Sequence, residues 1–235
     1  MKKNKVFFVD WDSKFFGFKV AQINGESIQQ EELSIILTGL KKENYRLVYI
    51  FVSKRITYFF QHVDMKYIHE KIRYEKKIVP PHRIDNKIKK YEMPYPTDKM
   101  IDLAIESGIY SRFKLDKNID EIKFNELYKK WIVNSVKKEI AAGVLIYEID
   151  NKLAGLITFD KSHGVGKIGI IAVDKCYRRR SVGSFLLTAA EYYLYEAGCD
   201  KITIATQDCN KAACQLYEKN GYHVDGAEYV YHIWL

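Results

Sequence analysis

The sequence predicts an α+β fold, with a smaller mixed region of strands and helices before a larger one. Short apolar runs rich in β-branched residues alternate with amphipathic helical patterns along the 235 residues. The composition, 47% hydrophobic and 29% charged, is that of a globular protein. All four prolines lie between positions 80 and 96, where they divide the chain into two parts.

The first part predicts the order strand, strand, helix, strand, helix, strand. The segment WDSKFFGF (11–18) is expected to be a loop anchored by its aromatic side chains, since Gly17 lets the chain turn. Ser27 is expected to cap the first helix, where apolar residues recur at helical spacing. The predicted strands span 5–9, 19–23, 45–52 and 67–79, and the predicted helices span 27–42 and 56–63.

The prolines bracket a polar, lysine-rich stretch, with Pro80 and Pro81 before it and Pro94 and Pro96 after it. Proline fixes φ, and a polar stretch of this kind offers few packing contacts, as expected for a linker. The predicted organisation is an N-terminal domain at 1–85, a linker at 86–98 and a C-terminal domain at 99–235.

The second part predicts two helices, a hairpin, and then a strand, helix, strand, helix and strand. Gly108 is expected to end the first helix and to leave IYSRF as an exposed loop. The Asn151-Lys152 turn joins the two strands of the hairpin. The other predicted elements are a helix at 118–137, strands at 143–150, 153–160 and 168–173, a helix at 181–197, a strand at 201–206, a helix at 210–219 and a strand at 222–234.

The charge and the cysteines limit the function classes. The net charge of +8 comes from lysines spread along the chain. It suits a solvated basic surface and leaves open nucleic acid, a membrane surface or a phosphorylated ligand. The four cysteines form no CxxC pair, and no apolar run has the length of a secretion signal or a membrane span. We therefore expect a cytoplasmic protein with reduced thiols and without a metal site.

Residues 168–184, IGIIAVDKCYRRRSVGS, form a candidate anion site. An apolar run ends at Val173, a basic cluster follows, and a Ser-Val-Gly-Ser turn leads into a helical pattern. A helix N-terminus presents unpaired N–H groups and the positive end of the helix dipole, so it can bind phosphate next to small residues and arginines. The alternative is that the arginines are only a solvated run.

This turn and the later segment NKAACQLYEKNGYH resemble the GCN5-related N-acetyltransferases (GNAT). Their pyrophosphate loop has the pattern Q/R-x-x-G-x-G/A, which residues 178–183 match except that Ser181 replaces the first glycine. Ser181 is expected to be tolerated with a negative φ, and its hydroxyl adds a hydrogen-bond donor. The resemblance implies a central, mostly antiparallel twisted sheet and acetyl-CoA as co-substrate.

The same resemblance implies the donor site, in a gap between the strand ending near Val173 and the strand at 201–206. It gives Tyr217 the role of general acid for the CoA thiolate and places Asn210, on the same helical face, near the cofactor. A packed tyrosine without a catalytic role is the alternative for Tyr217. The implied cofactor-binding residues are Ile171, Ala172, Val173, Arg178, Arg179, Arg180, Ser181, Val182, Gly183, Ser184 and Asn210.

Three further segments, WDSKFFGF, GIYSRF and LYKKWIVNSV, resemble the bacterial TDP-fucosamine acetyltransferases. Those enzymes acetylate the amine of a dTDP-linked 4-amino-4,6-dideoxy sugar. They pair a partial acetyltransferase-like domain with a complete one. The resemblance therefore implies a nucleotide-sugar acceptor, with dTDP-4-amino-4,6-dideoxygalactose as the reference compound, and a role in surface polysaccharide biosynthesis.

The acceptor site is expected at Tyr110, Ser111 and Arg112, because the nucleotide needs a second site for its negative charge. A helix cap with a packing contact is an equal alternative for these residues. No carboxylate has a convincing position as a strong base. A sugar amine with a pKa near neutrality needs only water or a weak base.

Two other functions stay open from the sequence. One is an acetyltransferase of protein N-termini or another amine, against which the N-terminal 80 residues argue. The other is a non-catalytic module that binds CoA or nucleic acid, which only the charge supports. The preferred interpretation involves neither nucleic acid nor membrane insertion. The aromatic C-terminal strand can pair across a homodimer or lie inside the sheet.

Overall fold

The computed structural model describes residues 4–58, 63–79 and 83–235. The strands in these ranges are β1 (Lys5–Phe8), β2 (Lys19–Gly25), β3 (Tyr45–Val52), β4 (Asp64–Lys77), β5 (Ile88–Lys90), β6 (Gly143–Ile149), β7 (Lys152–Ser162), β8 (Val165–Val173), β9 (Lys201–Gln207) and β10 (His223–Trp234). The helices are α1 (Asp10–Phe16), α2 (Gln30–Lys42), α3 (Asp98–Ser107), α4 (Arg112–Leu115), α5 (Glu121–Val136), α6 (Val182–Glu196) and α7 (Lys211–Lys219), with a 3₁₀ turn at Lys175–Tyr177.

The strands form one sheet in the order β1-β2-β3-β10-β4-β9-β8-β7-β6-β5. Only the β2–β3 and β8–β9 pairs in this sheet are parallel, so the α+β class and the mostly antiparallel sheet are confirmed. Strands from both predicted parts alternate in its middle, and β5, from the predicted linker, pairs with β6. The division into domains at 1–85 and 99–235 stays a prediction.

The C-terminal strand lies inside the sheet. β10 pairs with β3 on one side and with β4 on the other, over most of its length. Both of its hydrogen-bonding edges are therefore used within the chain. The internal position is confirmed, and the pairing of this strand across a homodimer is wrong.

Helices cover both faces of the C-terminal part of the sheet. Val144 and Ile146 of β6 join a buried cluster with α3 and α5. Leu145 and Tyr147 join another cluster with α6. Because successive side chains of a strand point to opposite faces, the two clusters lie on the two sides of the sheet.

Several helix boundaries differ from the sequence predictions. WDSKFFGF is not a loop, because α1 occupies most of it and ends at Gly17 with φ +78°. The anchoring role of its aromatic residues is confirmed, since they pack on the core next to Phe113. Ser27 does not cap α2, which begins after Gln29 without a side-chain cap. The expected loop IYSRF holds the first two residues of α4, Arg112 and Phe113, and Phe113 is buried.

Parts of two predictions lie outside the described residues. The predicted helix at 56–63 includes the undescribed residues 59–62, and residues 56–58 are not helical. Pro80 and Pro81 are also outside the description. Within the described part of the chain, no helix is both long and apolar enough to cross a membrane.

A buried carboxylate fixes the end of β10 to the segment before α5. Asp116, only 1% exposed, accepts hydrogen bonds from His232 Nδ1 at 2.6 Å and Trp234 Nε1 at 2.9 Å. It also accepts from the Asn118 amide at 3.0 Å. Burial opposes ionisation of Asp116, but these hydrogen bonds outweigh it and lower its pKa. The carboxylate thus stabilises the fold in its charged form.

Asp116→Asn is expected to lower the free energy of unfolding by about 3 kcal/mol at pH 7, because the amide cannot satisfy the same donors. Since the folded-state pKa is lowered, the stabilising effect of the carboxylate is present above its unfolded pKa. It is lost as the pH falls through the folded value. The difference between wild type and variant in urea unfolding should therefore shrink in acid.

The matched control is Asp120→Asn. Asp120 caps α5 through the Lys123 amide at 2.7 Å, and asparagine caps helices about as well as aspartate. Its effect should stay below about 0.5 kcal/mol. Equal losses in both variants would contradict the role given to Asp116.

Candidate active site

A cleft of about 1260 Å³ opens where β8 and β9 separate. The two strands pair in parallel only from Val165–Lys201 to Lys167–Thr203. Beyond this point each strand continues without the other, to Val173 and to Gln207. The cleft lies along these separated ends.

A bulge in β8 accompanies the separation. The register against β7 shifts between Ile168 and Ile171, so that β8 holds one extra residue. In the bulge, the Ile170 amide donates to Thr158 Oγ1 at 2.8 Å. A Cβ atom at Gly169 would lie 2.7 Å from that hydroxyl, so glycine permits the close approach.

The backbone groups of Ile171 and Val173 point toward the gap. The Asp174 amide donates to the Ala154 carbonyl, which makes 174–154 a hydrogen-bonded pair of the antiparallel β7–β8 ladder. Residues 171 and 173 alternate with the bonded positions, so their N–H and C=O groups face β9. β9 does not pair with them, which leaves the N–H and C=O groups of Ile171 and the N–H group of Val173 available to a ligand.

The turn after β8 is fixed by charged side chains. Asp174 accepts from the Cys176 amide at 2.8 Å and forms an ion pair with Lys99. The Lys99 ammonium and the Cys176 amide lower the pKa of Asp174. Arg178 donates to the Val173 carbonyl at 3.2 Å and to Glu106 at 2.7 Å. The exposed guanidinium of Arg178 is therefore fixed by contacts within the chain.

The N-terminus of α6 opens into the cleft without a side-chain cap. Ser181 occupies the N-cap with φ +58°, so it does not meet the condition of a negative φ under which serine replaces glycine without strain. The left-handed conformation costs a non-glycine residue about 1 kcal/mol. Arg179 has φ +63° as well. In the described residues, no side chain accepts from the first amides of α6, at Val182, Gly183 and Ser184.

Nearly all residues expected from the sequence line this one cleft. Arg180 is the exception, because its exposed guanidinium lies 5.7 Å from the centre of the Tyr177 ring, outside the cleft lining. The lining residues are Tyr110, Ser111, Arg112, Ile171, Ala172, Val173, Arg178, Arg179, Ser181, Val182, Gly183, Ser184, Asn210 and Tyr217.

Tyr217 and Asn210 stand at opposite ends of α7. Asn210 caps the helix by accepting from the Ala213 amide at 3.3 Å. Tyr217 is 3% exposed and packs edge-to-face on Tyr74, with 5.6 Å between ring centres. Burial raises the pKa of Tyr217 well above its usual value, so its hydroxyl is protonated at neutral pH. Tyr217 is thus a packed tyrosine that also lines the cleft.

Arg112 connects the segments WDSKFFGF and GIYSRF in the part of the cleft formed by α4. Its guanidinium lies 4.1 Å from the Phe113 ring centre and 4.5 Å from that of Tyr49. Its Nη2 is 3.5 Å from Asp12 Oδ2, which accepts from the Tyr49 hydroxyl at 2.9 Å. Asp12 of WDSKFFGF and Arg112 of GIYSRF therefore meet. Ser111 is the N-cap residue of α4 but makes no side-chain cap.

β4 also contributes to the cleft, which the sequence did not predict. His69, Lys71 and Arg73 all line it, as alternate residues of one strand face. Lys71 forms an ion pair with Glu228 at 3.2 Å and Arg73 with Asp225 at 2.7 Å. The alternation of β4 predicts a strand, but no local signal shows that β4 becomes a neighbour of β9.

The family is decided by comparison with known proteins. The sequence pattern described as "Acetyltransferase (GNAT) family" matches residues 104–222, which is just over half of the chain. The chain belongs to the GNAT acetyltransferase family. The part matched contains the hairpin, β8, the turn and α6, β9 and α7, the elements to which the sequence resemblance assigns the donor site. The GNAT resemblance found in the sequence is therefore confirmed.

Two relatives of the chain have names that refer to different processes. N-alpha-acetyltransferase 30 of Xenopus laevis is 37% identical over 68 residues, which are 29% of this chain and 25% of that protein. The spore coat polysaccharide biosynthesis protein SpsD of Bacillus subtilis is 25% identical over 144 residues, 60% of this chain and 48% of that protein. The chain thus spans a quarter to a half of these relatives.

Solved structures support the fold. A GCN5-related N-acetyltransferase from Sphaerobacter thermophilus superimposes with a TM-score of 0.57 at 13% identity, covering 91% of this chain and 72% of that one. Among the described residues, no group of three or more His, Cys, Asp or Glu is placed to hold a metal ion.

Proposed function

We propose that this GNAT protein acetylates the amine of a nucleotide-linked amino-deoxysugar such as dTDP-4-amino-4,6-dideoxygalactose. The observation that carries the proposal is the second wall of the cleft. This wall comes from β3, β4 and α4, and its residues Phe51, His69, Lys71, Arg73 and Arg112 line the same cleft as the proposed donor turn. Such a wall offers an aromatic surface, cations and hydrogen-bond donors, which suit a base, a diphosphate and a sugar.

The donor end fits acetyl-CoA. The uncapped amides of α6 and the positive end of its dipole suit a pyrophosphate. In the described residues, the cleft-lining Arg179 and Lys219 form no salt bridge, so their charges are available to phosphate. Arg178 is held by Glu106 and Val173 and positions the turn. Ser184 Oγ already accepts from the Asn220 side chain at 3.0 Å.

The free edge of β8 suits the pantetheine arm. The Ile171 groups that face β9 are available to amide partners of the arm, whereas the Val173 carbonyl already accepts from Arg178. The Val173 amide remains as the donor that polarises the thioester carbonyl. Acetyl-CoA supplies the activated acetyl group. The protein contributes orientation and a donor that needs no rearrangement.

Tyr217 is the proposed general acid. Its hydroxyl carries a proton at neutral pH, as any tyrosine with an ordinary or raised pKa does, and the residue lines the cleft. It can therefore give this proton to the departing thiolate. The acceptor amine loses its own proton to water, since a sugar amine has a pKa close enough to neutrality to be partly uncharged.

Acetylation of protein N-termini is the second candidate. The 37% identity to N-alpha-acetyltransferase 30 favours it, although this match covers only 68 residues. The match to SpsD covers 144 residues, and that protein is named for polysaccharide biosynthesis. The longer match and the cationic second wall favour the nucleotide sugar.

An acceptor panel tests the proposal. The release of CoA thiol is measured with dTDP-4-amino-4,6-dideoxygalactose, with the same amino sugar lacking the nucleotide, and with peptides that have free N-termini. We expect kcat/KM for the nucleotide sugar to exceed the values for both other classes by about a hundredfold or more. Faster turnover of peptides would support the second candidate. CoA binding without any turnover would support a binding module.

Tyr217→Phe should lower kcat by roughly a hundred- to ten-thousandfold and leave the Kd for acetyl-CoA nearly unchanged, because only the proton donor is removed. Tyr222→Phe is the matched control. Tyr222 is also buried and donates to Glu191 at 3.0 Å, but it does not line the cleft. An unchanged kcat in Tyr217→Phe would remove this residue from the role.

Two adjacent arginines provide a test of the pyrophosphate site. Arg179→Gln should weaken acetyl-CoA binding about fivefold at low ionic strength, and less at high salt, because an exposed charge is screened. Arg180→Gln should leave the affinity unchanged, since Arg180 lies outside the cleft. Isothermal titration at two salt concentrations distinguishes them. Equal losses in the two variants would show that only net charge matters.

A further inference from the structure

Three residues that line the cleft, His69, Ser111 and Arg112, each carry a buried polar atom without a hydrogen-bond partner. Among the described residues, five buried side-chain atoms make no hydrogen bond, and one of them, Asn4 Oδ1, belongs to the edge of the sheet at β1. Buried polar atoms in native proteins are almost always satisfied, so a group of unpaired ones indicates a missing partner. The other four atoms are His69 Nδ1, Ser111 Oγ, Arg112 Nε and His232 Nε2.

A β-bulge in β4 orients His69 toward the cleft. The register between β4 and β10 shifts where Val230 pairs with His69 and Tyr231 pairs with Tyr67. Tyr67 therefore faces the aromatic cluster with Tyr229 and Tyr231, while His69 turns to the opposite face and lines the cleft. His69 is 5% exposed, so the fold buries a polar ring at the wall of a ligand site.

Arg112 cannot turn to find another partner. The Asp12 carboxylate holds one end of its guanidinium, and the rings of Tyr49 and Phe113 pack on it. Its buried Nε–H remains as a fixed donor without an acceptor. Ser111 and Arg112 are adjacent in the chain, and both residues line the same cleft as His69.

Arg112 Nε–H lacks an acceptor, and His232 Nε2 lacks a donor. Burial chiefly, and the Arg112 charge in addition, lower the pKa of His69 to about 4 and also lower that of His232. Both rings are therefore neutral at neutral pH. Asp116 binds the proton on His232 Nδ1, which leaves Nε2 as an acceptor. A phosphate or carboxylate cannot donate to such a nitrogen, and an ammonium cannot accept from Arg112.

We propose that this end of the cleft is a hydroxyl-binding subsite, in which one ring hydroxyl of the acceptor sugar accepts from Arg112 Nε and donates to His69 Nδ1. This inference rests on the proposed function and specifies which part of the acceptor is recognised. Ser111 Oγ can extend the same hydrogen-bond chain. The subsite selects acceptors by an alcohol, separately from the amine that reacts and from the phosphates.

Deoxygenated acceptors test the subsite. Wild-type kcat/KM is measured for dTDP-4-amino-4,6-dideoxygalactose and for its 2-deoxy and 3-deoxy analogues. We expect one analogue to lose about 10- to 100-fold, because it leaves buried polar atoms unpaired. The variant His69→Phe keeps a ring of similar shape. In this variant, kcat/KM for dTDP-4-amino-4,6-dideoxygalactose should fall to the value for that analogue. The ratio between the two substrates should then drop below about 3-fold.

Two further variants keep the test independent of folding. Arg112→Lys retains the positive charge but lacks Nε–H, so it should reduce the same ratio. Lys71→Met, on the same strand face as His69, should leave the ratio unchanged. The acetyl-CoA affinity of each variant reports whether the donor half is intact.

The outcomes separate this subsite from the function on which it rests. Equal use of the parent and both analogues by the wild type would show that water satisfies these atoms, and would overturn the subsite alone. A full ratio that persists in both His69→Phe and Arg112→Lys would also overturn it. No turnover of the parent sugar by the wild type would overturn the proposed function and the subsite with it.

Discussion

The early end of the β8–β9 pairing is the constraint on which the rest of the site depends. Only three residue pairs join these parallel strands before they separate. The separation leaves the outward backbone groups of Ile171 and Val173 without a strand partner, and the cleft that it opens is lined by the start of α6 and by Tyr217 of α7. In a fully paired sheet those backbone groups would be used internally. The unpaired edge is therefore the feature that turns a structural sheet into a candidate binding site.

The second constraint is the insertion of β10 between β3 and β4. Because β4 then pairs with β9, the alternate residues His69, Lys71 and Arg73 line the same cleft as the turn before α6. The buried contact of Asp116 with His232 and Trp234 fixes β10 to the segment that follows α4. Donor and acceptor walls come from distant parts of the chain, and their relative position depends on this one strand.

The donor end could be predicted from the sequence because its residues are close together in the chain. The run from Ile171 to Ser184 forms the strand end, the turn and the helix start in that order, and Tyr217 follows from the spacing of one helix. Arg180 belongs to the run that matches the pyrophosphate-loop pattern, but its side chain lies against Tyr177 and outside the cleft lining. Ser181 adopts a positive φ that a sequence pattern cannot show. His69 could not be found, since its position depends on a bulge and on pairing with distant strands.

The cations on the two walls of the cleft differ in whether they form salt bridges, and this difference affects how the proposed acceptor can bind. Lys71 and Arg73 are paired with Glu228 and Asp225, whereas Arg179 at the donor turn has no salt bridge in the described residues. A diphosphate at the acceptor wall must therefore compete with carboxylates for its cations. Both pairs are partly exposed, and exposed ion pairs contribute only about 0–1 kcal/mol. Replacing Glu228 or Asp225 by a phosphate as the partner of Lys71 or Arg73 therefore costs little free energy. Without a ligand, the two carboxylates neutralise these cations near the uncharged His69.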